Sequence, residues 1–397
     1  MIINSRLDND FYQFTMAQLI HENWHDMKVR YEFRNRTFSV PLGQRISLTQ
    51  LKAEIEHVRQ LKFTKAEINY LRGTGYFAQG FLNWLELTHE LPPVQVWMEN
   101  GHLKIEYEGD WQDAVFWETI LLSLVSELYC QKYGILEAEG ILRLHEKIRY
   151  LKQKGNLHFV EFGTRRRWSQ EWQERVTSAM VNEFDGGQLL GTSNVLLAQT
   201  YGLYPVGTMA HQLFMVMAAG LTTDTSASLP TAQKIVMDAW GERYHEFPEL
   251  MCLLPDTYGT KTLLDNYPTE DLQKWKAMRQ DSGDPFEIGE YMIQKYNEGG
   301  VTRPVIVFSD GLDLRTMDLL YDRFNERAVV KFGWGTNLTN DLGFQSLSLV
   351  IKPKTANGYP CVKLSDNIAK ATGDSGEIER YKKLAGYAVE YEKAAVY

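Results

Sequence analysis

The sequence predicts an α/β fold, a (β/α) barrel packed against an α+β unit made from the two chain ends. Three observations carry that expectation. Between residues 157 and 332, seven short apolar segments each end in a small or polar loop, usually followed by helix-like sequence. That is the rhythm of a parallel sheet, and the number of units favours a barrel over an open sheet. Apolar alternation around an Asn-Gly pair marks a hairpin near each end of the chain. Finally, 397 residues with 44% hydrophobic and 23% charged side chains suffice for a substantial core in two or three domains.

The elements follow in order. From Phe11 to His25, and again from Leu48 to Leu71, apolar residues recur at helical spacing. Val94, Val96 and Met98 alternate up to Asn100-Gly101, and Leu103, Ile105 and Tyr107 alternate away from it, the two-residue turn of a hairpin. A helical stretch runs from Trp111 to about Lys152; its most apolar part, Ala114 to Cys130, is short and broken by Glu118 and Glu127. It reads as a buried helix rather than a membrane span. The βα segments are Leu157 to Phe162, Gln188 to Leu190, Leu203 to Val206, Met251 to Leu254, Lys276 to Met278, Val305 to Phe308 and Ala328 to Phe332. Leu347, Leu349 and Ile351, then Asn357-Gly358, then Cys361 to Leu364 give the second hairpin, expected to join the N-terminal strands. The expected division places 1–150, completed by 345–397, in the α+β domain and 151–344 in the barrel.

Forty-two Lys and Arg against 51 Asp and Glu give a net charge of −9, which argues against binding to nucleic acid or an anionic membrane. An anionic ligand must therefore meet a local cluster of cations. Cys130, Cys252 and Cys361 form no CxxC pair, so neither a disulfide framework nor a thiolate zinc site is suggested, and a reducing, cytoplasmic setting fits. No apolar run precedes Asp8 and Asp10, unlike an ordinary secretory signal.

On the loops after the strand ends, where barrel enzymes place their chemistry, several motifs carry it. Phe162-Gly163-Thr164-Arg165-Arg166-Arg167-Trp168 combines guanidiniums with aromatic rings, suited to a ligand both anionic and flat. Three adjacent arginines cannot all face one ligand. Gly207-Thr208-Met209-Ala210-His211 reads as a strand end turning into a helix, with Thr208 as N-cap and His211 in the first turn. A phosphate on or near His211 would meet the positive end of that helix, and Asp256 could orient the imidazole for attack on phosphorus. The blander alternative is a hydrogen-bonded core histidine. Arg279-Gln280-Asp281-Ser282-Gly283-Asp284 offers Arg279 for anionic charge, and Asp281 and Asp284 for ribose hydroxyls or Mg2+; it could also be a turn with a helix cap. Ser309-Asp310-Gly311 and Gly333-Trp334-Gly335-Thr336 resemble phosphate cradles, where glycine lets amides approach oxygens closely. His21-Glu22-Asn23-Trp24-His25 matches the HExxH zinc-peptidase pattern, but Tyr31 stands where the longer motif has its third histidine.

Taken together, FGTRRRWS, GTSN, GTMAH, RQDSGDP, FSDGLDLR, FGWGT and VIKPKTANGYPCVKLSD resemble, in order and over most of the chain, bacterial nicotinate phosphoribosyltransferases. The match extends to the N-terminal LDNDFYQFTM. The resemblance implies an irregular α/β barrel of the type II phosphoribosyltransferases, working as a homodimer with shared active sites. It implies conversion of nicotinate and phosphoribosyl pyrophosphate to nicotinate mononucleotide and pyrophosphate, in NAD salvage. ATP hydrolysis would be coupled through a phosphohistidine, a ligase-type reaction needing Mg2+ and no tightly bound organic cofactor. By the same resemblance Phe162 and, from the neighbouring subunit, Tyr12 would sandwich the pyridine ring; Arg165 and Arg279 would hold anionic groups. Asp281 and Asp310 would serve the ribose and its metal; Gly311, Gly333, Gly335 and Thr336 the 5′-phosphate. His211 would be phosphorylated, with Asp256 beside it.

Ser193 stands where nicotinamide-using relatives have an aspartate, whose carboxylate would repel nicotinate, so the acid is the expected base. Gln212 replaces the glutamate that usually follows the histidine, which bears on how a phosphohistidine would be handled. Three other readings compete: a nicotinamide enzyme, a zinc peptidase using His21, Glu22 and His25, and a non-catalytic sensor of pyridine or phosphoribosyl ligands.

Overall fold

A computed structural model describes residues 1–133, 137–184, 186–221 and 229–393. In chain order the strands are β1 (Lys28–Asn35), β2 (Val94–Glu99), β3 (His102–Asp110), β4 (Phe159–Glu161), β5 (Leu189–Thr192), β6 (Cys252–Leu253), β7 (Ala277–Gln280), β8 (Val305–Phe308), β9 (Val329–Trp334), β10 (Leu349–Ala356) and β11 (Tyr359–Pro360). They form two sheets, antiparallel β11-β10-β1-β3-β2 and parallel β5-β4-β9-β8-β7-β6.

Both hairpins are present. Asn100 and Gly101 have φ of 51° and 78°, and Asn357 and Gly358 have 48° and 83°, the left-handed pair that a two-residue turn between twisted strands requires. The second hairpin leaves the parallel sheet and adds β10 to the edge of β1, from Val29 opposite Ala356 to Asn35 opposite Leu349. The C-terminal segment thus completes the N-terminal sheet. On its buried face the rings of Tyr31 and Tyr107, directly opposite each other, stack 4.8 Å apart.

The parallel sheet departs from the sequence expectation in one place. Leu203 to Val206 is not a strand; it touches β5 through a single parallel bridge, Thr192 to Pro205. Pro205 has no N–H to extend a ladder, and Gly191, at φ 146°, lies where a Cβ would meet the Tyr204 carbonyl at 2.3 Å. The chain then runs to Thr208, whose hydroxyl donates to the Cys252 carbonyl of β6 at 3.4 Å. Among the described residues β5 and β6 are thus linked by this segment and not by a ladder, so the sheet has six strands rather than a closed ring.

Two helices, Leu48–Gln60 and Lys65–Gly73, replace the single stretch read from the sequence. Thr64 and Glu67 form a capping box that starts the second. All fourteen residues of the helix Trp117–Cys130 are buried, and it packs beside the loop after β4 and against β10. Its two glutamates face cations, Glu118 toward Lys352 at 3.5 Å and Glu127 toward Arg167 at 3.7 Å, as buried charge demands. The rest of that long stretch is a short helix Trp111–Ala114, a 3-10 turn Gln131–Tyr133 and the helix Glu137–Lys154; residues 134–136 lie outside the described set. Among the described residues no helix is long and apolar enough to cross a membrane.

Candidate active site

The C-terminal ends of β4, β7, β8 and β9 converge on one cavity, which Arg36, just after β1, and Val350 and Lys352 of β10 help to close. Its wall holds Phe162 and Arg165 after β4, Arg279 and Asp281 from β7, Asp310 and Gly311 after β8, and Gly333, Gly335 and Thr336 from β9 onward. Tyr12 and His211 complete that group. Eleven of the fourteen residues given a site role from the sequence therefore share one cavity; Asp256 and Ser193 stand one layer behind it, and Asp284 lies outside it.

The three arginines after β4 have three different fates. Arg167 is buried and forms a two-point pair with Asp8, at 2.7 and 2.8 Å. Arg166 donates twice to the Leu349 carbonyl, at 3.1 and 2.9 Å, tying this loop to β10. Arg165 lines the cavity beside Phe162, as part of Arg166 also does. Glycine is required next to it, because a Cβ on Gly163 would stand 2.0 Å from the Thr339 hydroxyl.

His211 sits at the centre of a polar cluster. Nε2 is 3.0 Å from Asp281 Oδ2 and 2.9 Å from Lys363 Nζ; Nδ1 is 3.2 Å from Thr257 Oγ1 and 3.5 Å from Asp256 Oδ1. Asp256 is itself fixed by the Ser282 hydroxyl at 2.5 Å. Burial pushes the imidazole down to about 4, with Lys363 adding to the effect and Asp256 and Asp281 opposing it. The ring is therefore neutral at pH 7, the form in which one nitrogen keeps a lone pair. Burial would raise the Asp281 carboxyl, but Arg279, His211 and Lys363 hold it well below its ordinary range.

Thr208 does not cap the following helix. That helix, Gln212–Leu221, begins four residues later, and the His211 carbonyl accepts its first backbone bond, from Met215 at 3.0 Å. Residues 207–210 instead run past Tyr12, whose backbone nitrogen lies 2.8 Å from where a Gly207 Cβ would sit. Asp284, offered as a ribose or metal ligand, is spent as N-cap of the helix Pro285–Glu298. Gln212 turns away from the imidazole, accepting from Tyr31 at 2.6 Å and donating to Glu118 at 3.3 Å.

Tyr12 of this chain lines the same cavity as Phe162. The reason is local: the Phe11 amide donates to the Ser193 carbonyl at 2.7 Å, and Asp10 bridges Asn194, pinning this segment beside the end of β5. Ser193 is fully buried and gives its hydroxyl to Asp10 Oδ1 at 2.6 Å. Ser193 is not in the cavity wall itself; Asp10, which holds it, is. Burial raises the Asp10 pKa, while Ser193 and Arg165 oppose that rise.

At the far end, Asn337 donates to the carbonyls of Gly311 and Leu312, so the two glycine loops form one rim. The sequence assigned Mg2+ to Asp281 and Asp310, and the residues do not fit a shared resident ion. Asp310 Oδ1 is 2.5 Å from Lys370 Nζ. Asp281 faces the Ser309 hydroxyl at 3.0 Å and Arg279 at 3.7 Å. Lys352, Lys363, Lys370 and Arg36 also line the cavity, and sequence reasoning missed all four. Lys352 lies on β10 and Lys363 just beyond β11, both within the apolar segments read as hairpin arms, and a cation within a buried alternation was a signal to look for its partner.

The HExxH pattern assembles nothing. Its helix, Phe11–Asn23, ends before His25; His21 bonds Gln112 and stacks on Trp84, while Glu22 pairs with Arg243 at 3.2 Å.

Comparison with known proteins agrees with this arrangement. Residues 157–386 match the model of the nicotinate phosphoribosyltransferase family, and residues 7–126 match that family's N-terminal domain. A putative nicotinate phosphoribosyltransferase from Saccharomyces cerevisiae superimposes with a TM-score of 0.87 at 29% identity, over 98% of this chain and 99% of its own. The Porphyromonas gingivalis nicotinate phosphoribosyltransferase gives 0.86 at 29% identity, over 97% and 100%. That from Vibrio cholerae gives 0.87 at 29%, over 98% and 95%. With both halves matched and the cavity residues gathered at the strand ends, the chain belongs to the nicotinate phosphoribosyltransferase family.

Proposed function

We propose that the chain transfers the phosphoribosyl group of phosphoribosyl pyrophosphate to nicotinate, giving nicotinate mononucleotide and pyrophosphate for NAD salvage. The observation that carries this reading is the convergence of Phe162, Arg165, His211, Asp281, Asp310 and Gly335 on one cavity. The pyridine ring lies between Phe162 and Tyr12, with Arg165 on its carboxylate. The rim of Gly311, Gly333, Gly335 and Thr336 takes the 5′-phosphate through backbone amides. Asp281 and Asp310 face the ribose hydroxyls, and Arg279 holds diphosphate charge.

In the reaction the bond from ribose C1 to the diphosphate oxygen breaks, and the pyridine nitrogen lone pair forms the new bond to C1. Positive charge develops on the ribose as diphosphate departs, so carboxylates near the sugar and cations around the leaving group supply most of the help. ATP hydrolysis is coupled through phosphorylation of His211, which its neutral ring and the flanking Asp256 support. Mg2+ accompanies the diphosphate. We further propose the division into 1–150 with 345–397 and 151–344, a cytoplasmic location, and a homodimer with shared active sites. Light scattering tests the last.

Nicotinamide is the second reading, since the Asp10 carboxylate could accept from an amide. Arg165 beside Phe162 favours the acid. The decisive experiment measures pyrophosphate release with nicotinate, with nicotinamide, and with and without ATP, for wild type and His211→Ala. Wild type should prefer nicotinate and respond to ATP, while the variant keeps only weaker, ATP-independent transfer. Undiminished ATP stimulation in His211→Ala would refute the role of His211, and absence of pyrophosphate release would refute the transferase.

A further inference from the structure

Two groups of carboxylates in and just behind the cavity wall look at first like metal sites. Donor atoms of His211, Asp256 and Asp281 lie within 4.8 Å of one another, and Asp310 stands on the adjoining loop. In each case a lysine from the C-terminal segment already stands there. Lys363 Nζ is 2.9 Å from His211 Nε2 and 3.6 Å from Asp256 Oδ2. Lys370 Nζ is 2.5 Å from Asp310 Oδ1 and 3.2 Å from the Asp281 carbonyl. Both lysines are buried, at 4% and 6% exposure.

The segment that carries them is firmly docked. Lys363 and Thr372 exchange two backbone bonds at 2.9 Å, and the Leu364 amide donates to the Thr257 carbonyl at 2.9 Å. Asp366 accepts from the amide and hydroxyl of Thr260, and its own amide donates to Ser282. Arg36 donates to the Lys370 carbonyl at 3.0 Å. Gly283 is needed for this fit, since its Cβ would lie 2.8 Å from Asp366 Cβ at a φ of 81°. These contacts hold the backbone from which the two ammonium groups reach the carboxylates.

A small divalent ion such as Mg2+ needs near-octahedral oxygen ligands at close range and gives up water reluctantly. Beside a buried ammonium it would also meet like-charge repulsion. We propose that Lys363 and Lys370 are resident cations of this cavity, standing where carboxylate-bound divalent ions would otherwise sit, so that a divalent ion enters only with its anionic ligand. Both lysines are then positioning residues: each neutralises a carboxylate before a polyphosphate arrives and turns toward the polyphosphate afterwards. The identity of that anion as a diphosphate ester rests on the function proposed above.

The test is Mn2+ binding to the full-length protein, followed by electron paramagnetic resonance without any phosphate compound. Wild type should show no saturable Mn2+ site, and neither should Lys370→Arg, which keeps the cation. Lys370→Met and Lys363→Met should each gain one, with affinity increased on the order of tenfold or more. Saturable Mn2+ binding by wild type alone overturns the proposal, even if the variants fail to fold. So do Met variants with wild-type circular dichroism that gain no site. Pyrophosphate release, measured separately, tests the transferase, so the two can fail independently.

Discussion

Replacing His211 with Asn gives a quantitative check on the electrostatics of the site. The imidazole is 4% exposed, and burial lowers its pKa from 6.5 to about 4. Between those values the unfolded chain binds a proton that the folded chain refuses. Stability contributed by the neutral ring is therefore complete above pH 6.5 and lost as pH falls toward 4. The linkage amounts to about 2 kcal/mol at pH 5 and about 0.2 kcal/mol at pH 7. Other buried groups run the opposite way: burial raises Glu127 and Asp366 to about 7, which favours the folded state as pH drops below 7. The usable quantity is therefore the difference between wild type and His211→Asn, in which these terms cancel. Urea unfolding of both proteins at pH 7 and pH 5 measures it. Wild type should lose about 2 kcal/mol relative to the variant on going to pH 5. Parallel pH dependences, within about 0.5 kcal/mol, would show that the ring is not held neutral by burial. The same protonation should set the acid limb of ATP-stimulated transfer.

Asp8→Asn removes one charge of the buried pair with Arg167 and leaves a guanidinium uncompensated, so urea unfolding should show a loss of about 3–5 kcal/mol; a loss under about 1 kcal/mol would mean that Glu127 compensates Arg167 by itself. Replacing both Asp8 and Arg167 with apolar residues should cost much less than the sum of the single changes. Gly207→Ala places a methyl group 2.8 Å from the Tyr12 backbone nitrogen. Steady-state kinetics should show kcat/KM for nicotinate reduced roughly ten- to hundredfold by displacement of the ring, and unchanged kinetics would remove Tyr12 from the base site.

Much of the architecture could be read locally. Apolar alternation and Asn-Gly turns report which face of a strand is buried and where the chain reverses, so β2-β3 and β10-β11 were legible. The βα rhythm reported six of the parallel strands. It misplaced Leu203 to Val206 because apolarity there reflects burial alone, while Pro205 prevents the ladder. The helix after His211 starts later than its Thr208 signal, because that hydroxyl finds the Cys252 carbonyl, a partner invisible from neighbouring residues.

The sequence by itself determined the kinds of element, the loops that carry chemistry, and a cation-rich motif beside an aromatic one. Only the tertiary structure decided that Arg165 lines the cavity while Arg167 is spent on Asp8, that Tyr12 reaches that cavity too, and that Lys363 and Lys370 stand among the carboxylates. The physical reason is the range of the forces involved. Periodicity and turn preference act over a few residues, whereas the pairing of a buried charge is settled by whichever distant segment packs against it. Arg167 meets Asp8 across 159 positions, and Lys363 meets His211 across 152.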